Sequence, residues 1–205
     1  MKKTNMKKGV VILSGILSLS VLVISCGDNA TKSKLETKGS VYSTSLDFER
    51  SVMQILDQSP VYNSFLKLVN AASFFDEIKE MNNIIVFVPT DEAFGPSKYA
   101  INDLTAPDSL YRLPSILKYH FVESETDVET LISSLKIGGK PMRLKTLHGG
   151  FLALRLENNK LKILDESGTL ATVSSKSIRG SNGIVYTIDK ILEPRSQMNM
   201  TNSTK

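Results

Sequence analysis

The chain has 205 residues, with 25 Lys+Arg, 21 Asp+Glu, 41% hydrophobic residues, one Cys and no Trp. That length suits one domain or two small ones, and the apolar fraction excludes disorder throughout. A single Cys excludes an internal disulfide framework and, with only two His, a Cys-rich structural zinc site.

Residues 1–8, MKKTNMKK, carry four lysines and no acid, and a sixteen-residue apolar run, GVVILSGILSLSVLVI, follows. A basic start, a short apolar stretch and a small residue before the cut make a bacterial secretory signal over 1–25. The run is too short for a comfortable membrane span. Val23-Ile24-Ser25-Cys26 resembles a lipobox, where cleavage leaves a lipid-modified Cys as the first residue. Cys26 is therefore the expected lipidation site and the link to the membrane, since several acyl chains on one residue give durable attachment. Losing the signal removes four of 25 basic residues and no acid, which leaves 21 against 21. A neutral mature chain gives no support for nucleic-acid binding driven by phosphate neutralisation. The expected location is the bacterial cell envelope, at the outer membrane.

Residues 26–44 are polar and poor in branched apolar side chains, which predicts a flexible tether after the lipidated Cys. The tail 195–205 reads the same way. The unit between them, 45–194, begins helical. Ser45 is placed as the cap of LDFERSVMQILDQ, with Phe48, Val52, Ile55 and Leu56 as the inward stripe. Pro60 opens a second helix, with Val61, Phe65, Leu66, Val69 and Ala72 on one side. Ser73 is placed as the cap of a third, FFDEIKEM.

The period then changes. Ile84 to Val88 is a continuous β-branched and aromatic run, a buried strand ended by Pro89. Thr90 or Asp91 caps the turn that follows. Residues 100–107 read as loop, 109–119 as helix with Pro114 near its start, and Tyr119 to Val122 as a short strand. Asp127 is placed as the cap of a helix over VETLISSL. From Met142 strands dominate. Phe151–Leu156 and Leu161–Leu164 flank the turn Glu157-Asn158-Asn159-Lys160. Leu170–Val173 and Ile184–Asp189 are further strands, and Asn182-Gly183 reads as a tight turn needing positive φ. Helices first and hairpins last predict an α+β domain.

Four segments then carry a family resemblance over about residues 46–194. Ile85-Val86-Phe87-Val88-Pro89-Thr90-Asp91-Glu92-Ala93-Phe94 is similar to the fasciclin signature TVFAPTNEAF. Leu117 to Val122 resembles its central Tyr-His element, and Thr146-Leu147-His148-Gly149 its step before the hairpin. Ser181 to Pro194, SNGIVYTIDKILEP, resembles the closing signature SNGVIHVIDRVLLP. The resemblance implies a single fasciclin-like domain, a wedge-shaped β-sandwich with helices packed around one end. It implies an adhesion or interaction module with an unidentified protein or glycan partner, no catalytic role and no cofactor. It also marks Tyr119 and His120 as a possible contact element. Tyr186 stands where the family often has His, so no role of that His is carried over.

Each candidate has a plainer reading beside it. His120 suits a helix-to-strand junction held by hydrogen bonds. His148 and His120, without a placed carboxylate, make a poor metal site. Thr90, Asp91 and Glu92 suit a helix start better than an acid–base pair. Asp108-Ser109-Leu110 fits a short O-glycosylation pattern, and equally a helix cap. The chain has no phosphate loop, nucleophile elbow or mature Cys/His pair. Three alternatives to a lipid-anchored adhesion module remain: a glycan-capture accessory of a surface uptake system, a periplasmic envelope scaffold, and an enzyme with a buried pocket of convergent titratable groups.

Overall fold

The computed structural model describes residues 34–35, 43–95, 101–124, 126 and 128–195. The predicted signal, Cys26, Asp127 and the tail beyond Arg195 lie outside the described residues. The elements in chain order are β1 (Lys34–Leu35), β2 (Ser43–Leu46), α1 (Val52–Asp57), α2 (Asn63–Ala71), α3 (Phe75–Glu80), β3 (Ile84–Pro89) and a 3-10 turn (Asp91–Phe94). Then come α4 (Ile101–Leu104), α5 (Leu113–Tyr119), β4 (Phe121–Glu123), α6 (Val128–Gly138), β5 (Met142–Lys145), β6 (Phe151–Glu157), β7 (Lys160–Leu164), β8 (Leu170–Arg179) and β9 (Gly183–Ile188).

The strands run in the order β4-β3-β9-β8-β7-β6-β5. The two ends of this path meet: Val122 bridges Thr146, and the Leu147 N–H donates to the Phe121 carbonyl at 2.8 Å. The sheet thus folds over on itself as a nearly closed sandwich, the α+β architecture expected. β8 serves both halves. Its first residues pair with β7, its last with β2, and a register shift between Val173 and Ser177 bends it between them. Such a bulge bends a strand without ending it.

β3 explains why its sequence does not alternate. It pairs in parallel with β9 and is covered on both faces. Ile84, Val86 and Val88 face the cluster built by α1, α2, α3 and α5. Ile85 and Phe87 face the sandwich interior, with Leu152, Leu154, Leu161, Ile163 and Tyr186. α6 packs Leu131, Ile132 and Leu135 against this second cluster and leaves Ser133, Ser134, Lys136 and Ile137 exposed on its other side. Asn158 and Asn159, at φ 50° and 60°, make the expected β6–β7 turn.

The start of the unit differs from the sequence reading. α1 begins at Val52, because Ser51 and Gln54 form a reciprocal capping box: Ser51 N–H donates to Gln54 Oε1 at 2.8 Å, and Gln54 N–H to Ser51 Oγ at 3.4 Å. Ser43–Leu46 instead lie parallel to β8, and Lys34–Leu35 pair with β2. Part of the stretch read as tether is therefore strand. Its polar side chains suffice because backbone bonds and a Thr44–Ser177 hydroxyl pair at 2.8 Å hold it. Phe48, expected inside, is 61% exposed. Ser73 does not cap α3; it sits at φ 52° before Phe74, the actual N-cap residue. The expected loop holds α4, and α5 starts at Leu113 rather than 109. Tyr119 is the last residue of α5 and His120 its C-cap, so β4 starts only at Phe121.

Asn182 and Gly183 are not a positive-φ turn; neither is in the left-handed region. Asn182 is buried and joins three segments. Its Oδ1 accepts from Val52 N–H at 2.9 Å, an otherwise unpaired donor of the first turn of α1. Its Nδ2 donates to Ile78 and Met81 carbonyls at 3.3 and 3.2 Å, closing the end of α3. Gly183 is required by closeness: a Cβ there would stand 2.3 Å from the Ile84 carbonyl oxygen. Asn182→Ala takes the partner from the Val52 N–H and the Met81 carbonyl, while the Ile78 carbonyl keeps the Met81 N–H, and the expected loss is about 2–3 kcal/mol. Asn182→Asp keeps the acceptor but not the donors, and is expected to recover little of it. Gly183→Ala is expected to be at least as damaging as Asn182→Ala. Urea unfolding of the variants checks all three.

Candidate interaction site

Tyr119 and His120, the predicted contact element, are 0% and 1% exposed. α5 carries both inward at its C-terminal end. His120 Nδ1–H donates to the Ile116 carbonyl at 2.8 Å, and Nε2 accepts the Leu192 N–H at 3.1 Å. Two such bonds fix one neutral tautomer, since a charged ring cannot accept. Burial pushes the ring's pKa down to about 4, against the opposing pull of the Ile116 carbonyl. Phe65 packs edge-on at 5.7 Å. Tyr119 donates its hydroxyl to the Phe151 carbonyl at 2.8 Å and accepts the Glu166 N–H at 3.0 Å. Burial pushes its phenol up, well above its ordinary value.

Neither side chain presents a surface to a partner in this fold; their chemistry is spent on holding distant segments together. The segment after β9 has no strand partner of its own. His120 takes the Leu192 amide, and buried Asp165 takes the Glu193 amide at 2.8 Å. The same Asp165 accepts from Ser167 and Thr169 amides at 2.9 and 2.7 Å, closing the β7–β8 loop.

The remaining candidates resolve in the same direction. Both nitrogens of His120 are engaged, so it cannot join His148 in a metal site. His148 stacks edge-on against Tyr119 at 5.9 Å, and its enclosed Nδ1 has no hydrogen-bond partner. Among the described residues no group of three metal-ligating side chains converges. Asp91 does not cap its own turn. It reaches α2, where Oδ1 accepts the Ser64 N–H at 2.6 Å and Oδ2 the Asn63 side chain at 3.3 Å. Partial burial raises its pKa, but the hydrogen bonds from Ser64 and Asn63 prevail and hold it below the usual value. An anion fixed at a helix start in this way is a structural cap, not a base. Asp108 and Ser109 lie in the turn before α5, whose N-cap is Arg112, so neither caps it.

The fold leaves other aromatic side chains outside. Tyr111 is 71% exposed just before α5. Phe48 rims a shallow depression of about 100 Å³ whose other walls include Ser124, Thr126, Arg179 and Ser181. Arg179 is its one ionisable lining residue among those described, and the described lining offers hydrogen-bonding groups and a ring face. Sequence periodicity hid Phe48 by assigning it to α1; the Ser51–Gln54 spacing is the signal that would have excluded it from that helix.

The buried His120 makes stability pH-dependent. An unfolded His titrates near its ordinary value of about 6.5, whereas the folded ring stays neutral down to about 4. The unfolded state therefore takes up the proton first. His120's contribution is complete above pH about 6.5 and is lost as pH falls toward 4, by up to roughly 3 kcal/mol. His120→Phe is expected to be less stable at neutral pH and to show a shallower decline across this window, measured by urea unfolding at each pH.

A family model described as the Fasciclin domain matches residues 60–194. Protein sll1483 of Synechocystis sp. is 22% identical over 160 residues, covering 78% of this chain and 82% of that protein. Fasciclin-1 of Schistocerca americana is 23% identical and covers 91% of this chain, which spans 25% of the longer protein. Transforming growth factor-beta-induced protein ig-h3 of Oryctolagus cuniculus is 33% identical over 64% of this chain and 18% of its own length. Among solved structures, a FAS1 domain pair from the insect cell adhesion molecule Fasciclin I superposes with a TM-score of 0.60 at 22% identity, covering 71% of this chain and 51% of that one. With the sandwich, its helical layer and the closing Ser181–Pro194 segment in place, the chain belongs to the fasciclin domain family.

Proposed function

We propose that this chain is an extracytoplasmic module, held to the bacterial envelope at the outer membrane by a lipid on Cys26, whose fasciclin domain binds a protein or glycan partner without catalysis. The observation that carries the reading is family membership over residues 60–194, because fasciclin domains serve in cell adhesion or interaction. The basic start, the sixteen-residue apolar run and Ser25-Cys26 support the anchor. The burial of Tyr119 and His120 moves the contact to exposed side chains such as Phe48 and Tyr111. Phe48 beside a polar depression also favours a second reading, capture of a glycan by ring stacking.

The anchor is tested by metabolic labelling with palmitate and by detergent phase partitioning of the full chain. The wild type is expected to take up label and enter the detergent phase. Cys26→Ser should do neither and remain in the aqueous phase. Label retained by Cys26→Ser, or an unlabelled wild type, contradicts the anchor. Protease shaving of intact cells then separates the two orientations. Cleavage fits a surface contact, and protection until the outer membrane is opened points to a periplasmic scaffold.

A further inference from the structure

The neutral total conceals a division of charge. Residues 43–138 hold 14 acidic and 7 basic side chains, whereas residues 139–195 hold 5 acidic and 10 basic. The registers of β5, β6 and β7 place half of those cations together. Arg143 lies opposite Ala153, Lys145 opposite Phe151, Arg155 opposite Lys162, and Glu157 opposite Lys160. Because side chains alternate, all of these share one sheet face. The residues between them, such as Leu144, Leu152, Leu154, Leu161 and Ile163, are buried on the other face.

The outer face of three adjacent strands thus carries Arg143, Lys145, Arg155, Lys160 and Lys162 against a single acid, Glu157, which pairs with Arg155 at 2.9 Å. Two acids stand at its borders with other tasks. Glu166 accepts the Phe151 N–H, and Asp189 accepts the Thr172 N–H. Neighbouring strands lie about 5 Å apart and alternate residues about 7 Å apart, so the cations form a two-dimensional grid.

We propose that this face binds an acidic polysaccharide, a chain of carboxylate- or sulfate-bearing sugars. This rests on the extracytoplasmic reading above and specifies the partner class. Cations spread over an open sheet face suit several simultaneous contacts with one extended polyanion better than the enclosure of a small anion. A nucleic acid fits less well. Single strands are held by aromatic platforms on which bases stack. Here the only aromatic is Phe151, and the Arg143 guanidinium already lies 4.2 Å from its ring centroid. Nor can a flat sheet face enter a duplex groove as a helix or ribbon does.

The test uses the purified full chain with polygalacturonate, dextran sulfate and uncharged dextran as probes. Binding to both acidic polymers and not to dextran is expected, with affinity falling at least about tenfold as salt rises from about 50 to about 200 mM. Lys145→Glu/Lys160→Glu/Lys162→Glu should weaken it by at least about tenfold. The corresponding Gln variant, which avoids placing Glu opposite Glu157, should show a smaller loss in the same direction. Lys67→Glu/Lys79→Glu, on the exposed helical side, should leave binding unchanged. Failure to bind either acidic polymer, equal loss in the helical-side control, or tighter binding to duplex DNA or polyphosphate of matched charge would overturn the proposal. These variants leave Cys26 intact and the assay needs no membrane, so failure here leaves the anchor standing, and loss of the anchor leaves this result unchanged.

Discussion

The side-chain amide of Asn182 meets the first donor of α1 and two carbonyls at the end of α3, from a position immediately before β9. Helix ends leave backbone groups unpaired, and burying them unpaired costs as much as a lost hydrogen bond or more. A short helix such as α1, six residues long, has little internal stability to offset that. Asn182 resolves both ends with one side chain and fixes where the helical layer stands on β3 and β9. Gly183 then lets β9 pass against Ile84 with no side chain in the way. The Ser-Asn-Gly step is thus a joint between layers, and the parallel β3–β9 pair at the centre of the fold starts from it.

His120 and Asp165 apply the same logic at the other end of β9. The chain beyond Ile188 lacks a ladder, yet Leu192 and Glu193 are buried. An imidazole and a carboxylate supply the missing acceptors. The neutral His is suited to this, because it donates to Ile116 and accepts from Leu192 at once. Hydrogen-bonding side chains that a motif search would flag as contacts are therefore internal fasteners in this fold.

Much of this was legible in the sequence for definite reasons. The Ile84–Val88 run has no polar residue because both its faces are covered. The Asn158-Asn159 turn shows because two left-handed residues in a row need Asn or Gly. Tyr119 and His120 could be located but not assigned from the chain alone, since burial is a property of the fold. β2 was hidden because Ser-Thr-Ser-Leu carries no alternating pattern and its partner strand lies about 130 residues away. The joint at Asn182 looks like a turn in the sequence, because its three partners come from segments more than 100 residues earlier. The basic sheet face was invisible in the net charge, since the acids of the helical half cancel it; it appears only when strand register sorts side chains by face.

Native-state hydrogen exchange of the Val52 and Leu192 amides tests most directly whether Asn182 and His120 hold the fold together. Each amide donates to one of those side chains rather than to a helix or strand ladder. If the two side chains are the fasteners described, both amides exchange only through global unfolding, with the same denaturant dependence as the slowest amides of β3 and β9. Exchange of either through a local opening that leaves β3 and β9 protected would contradict the account.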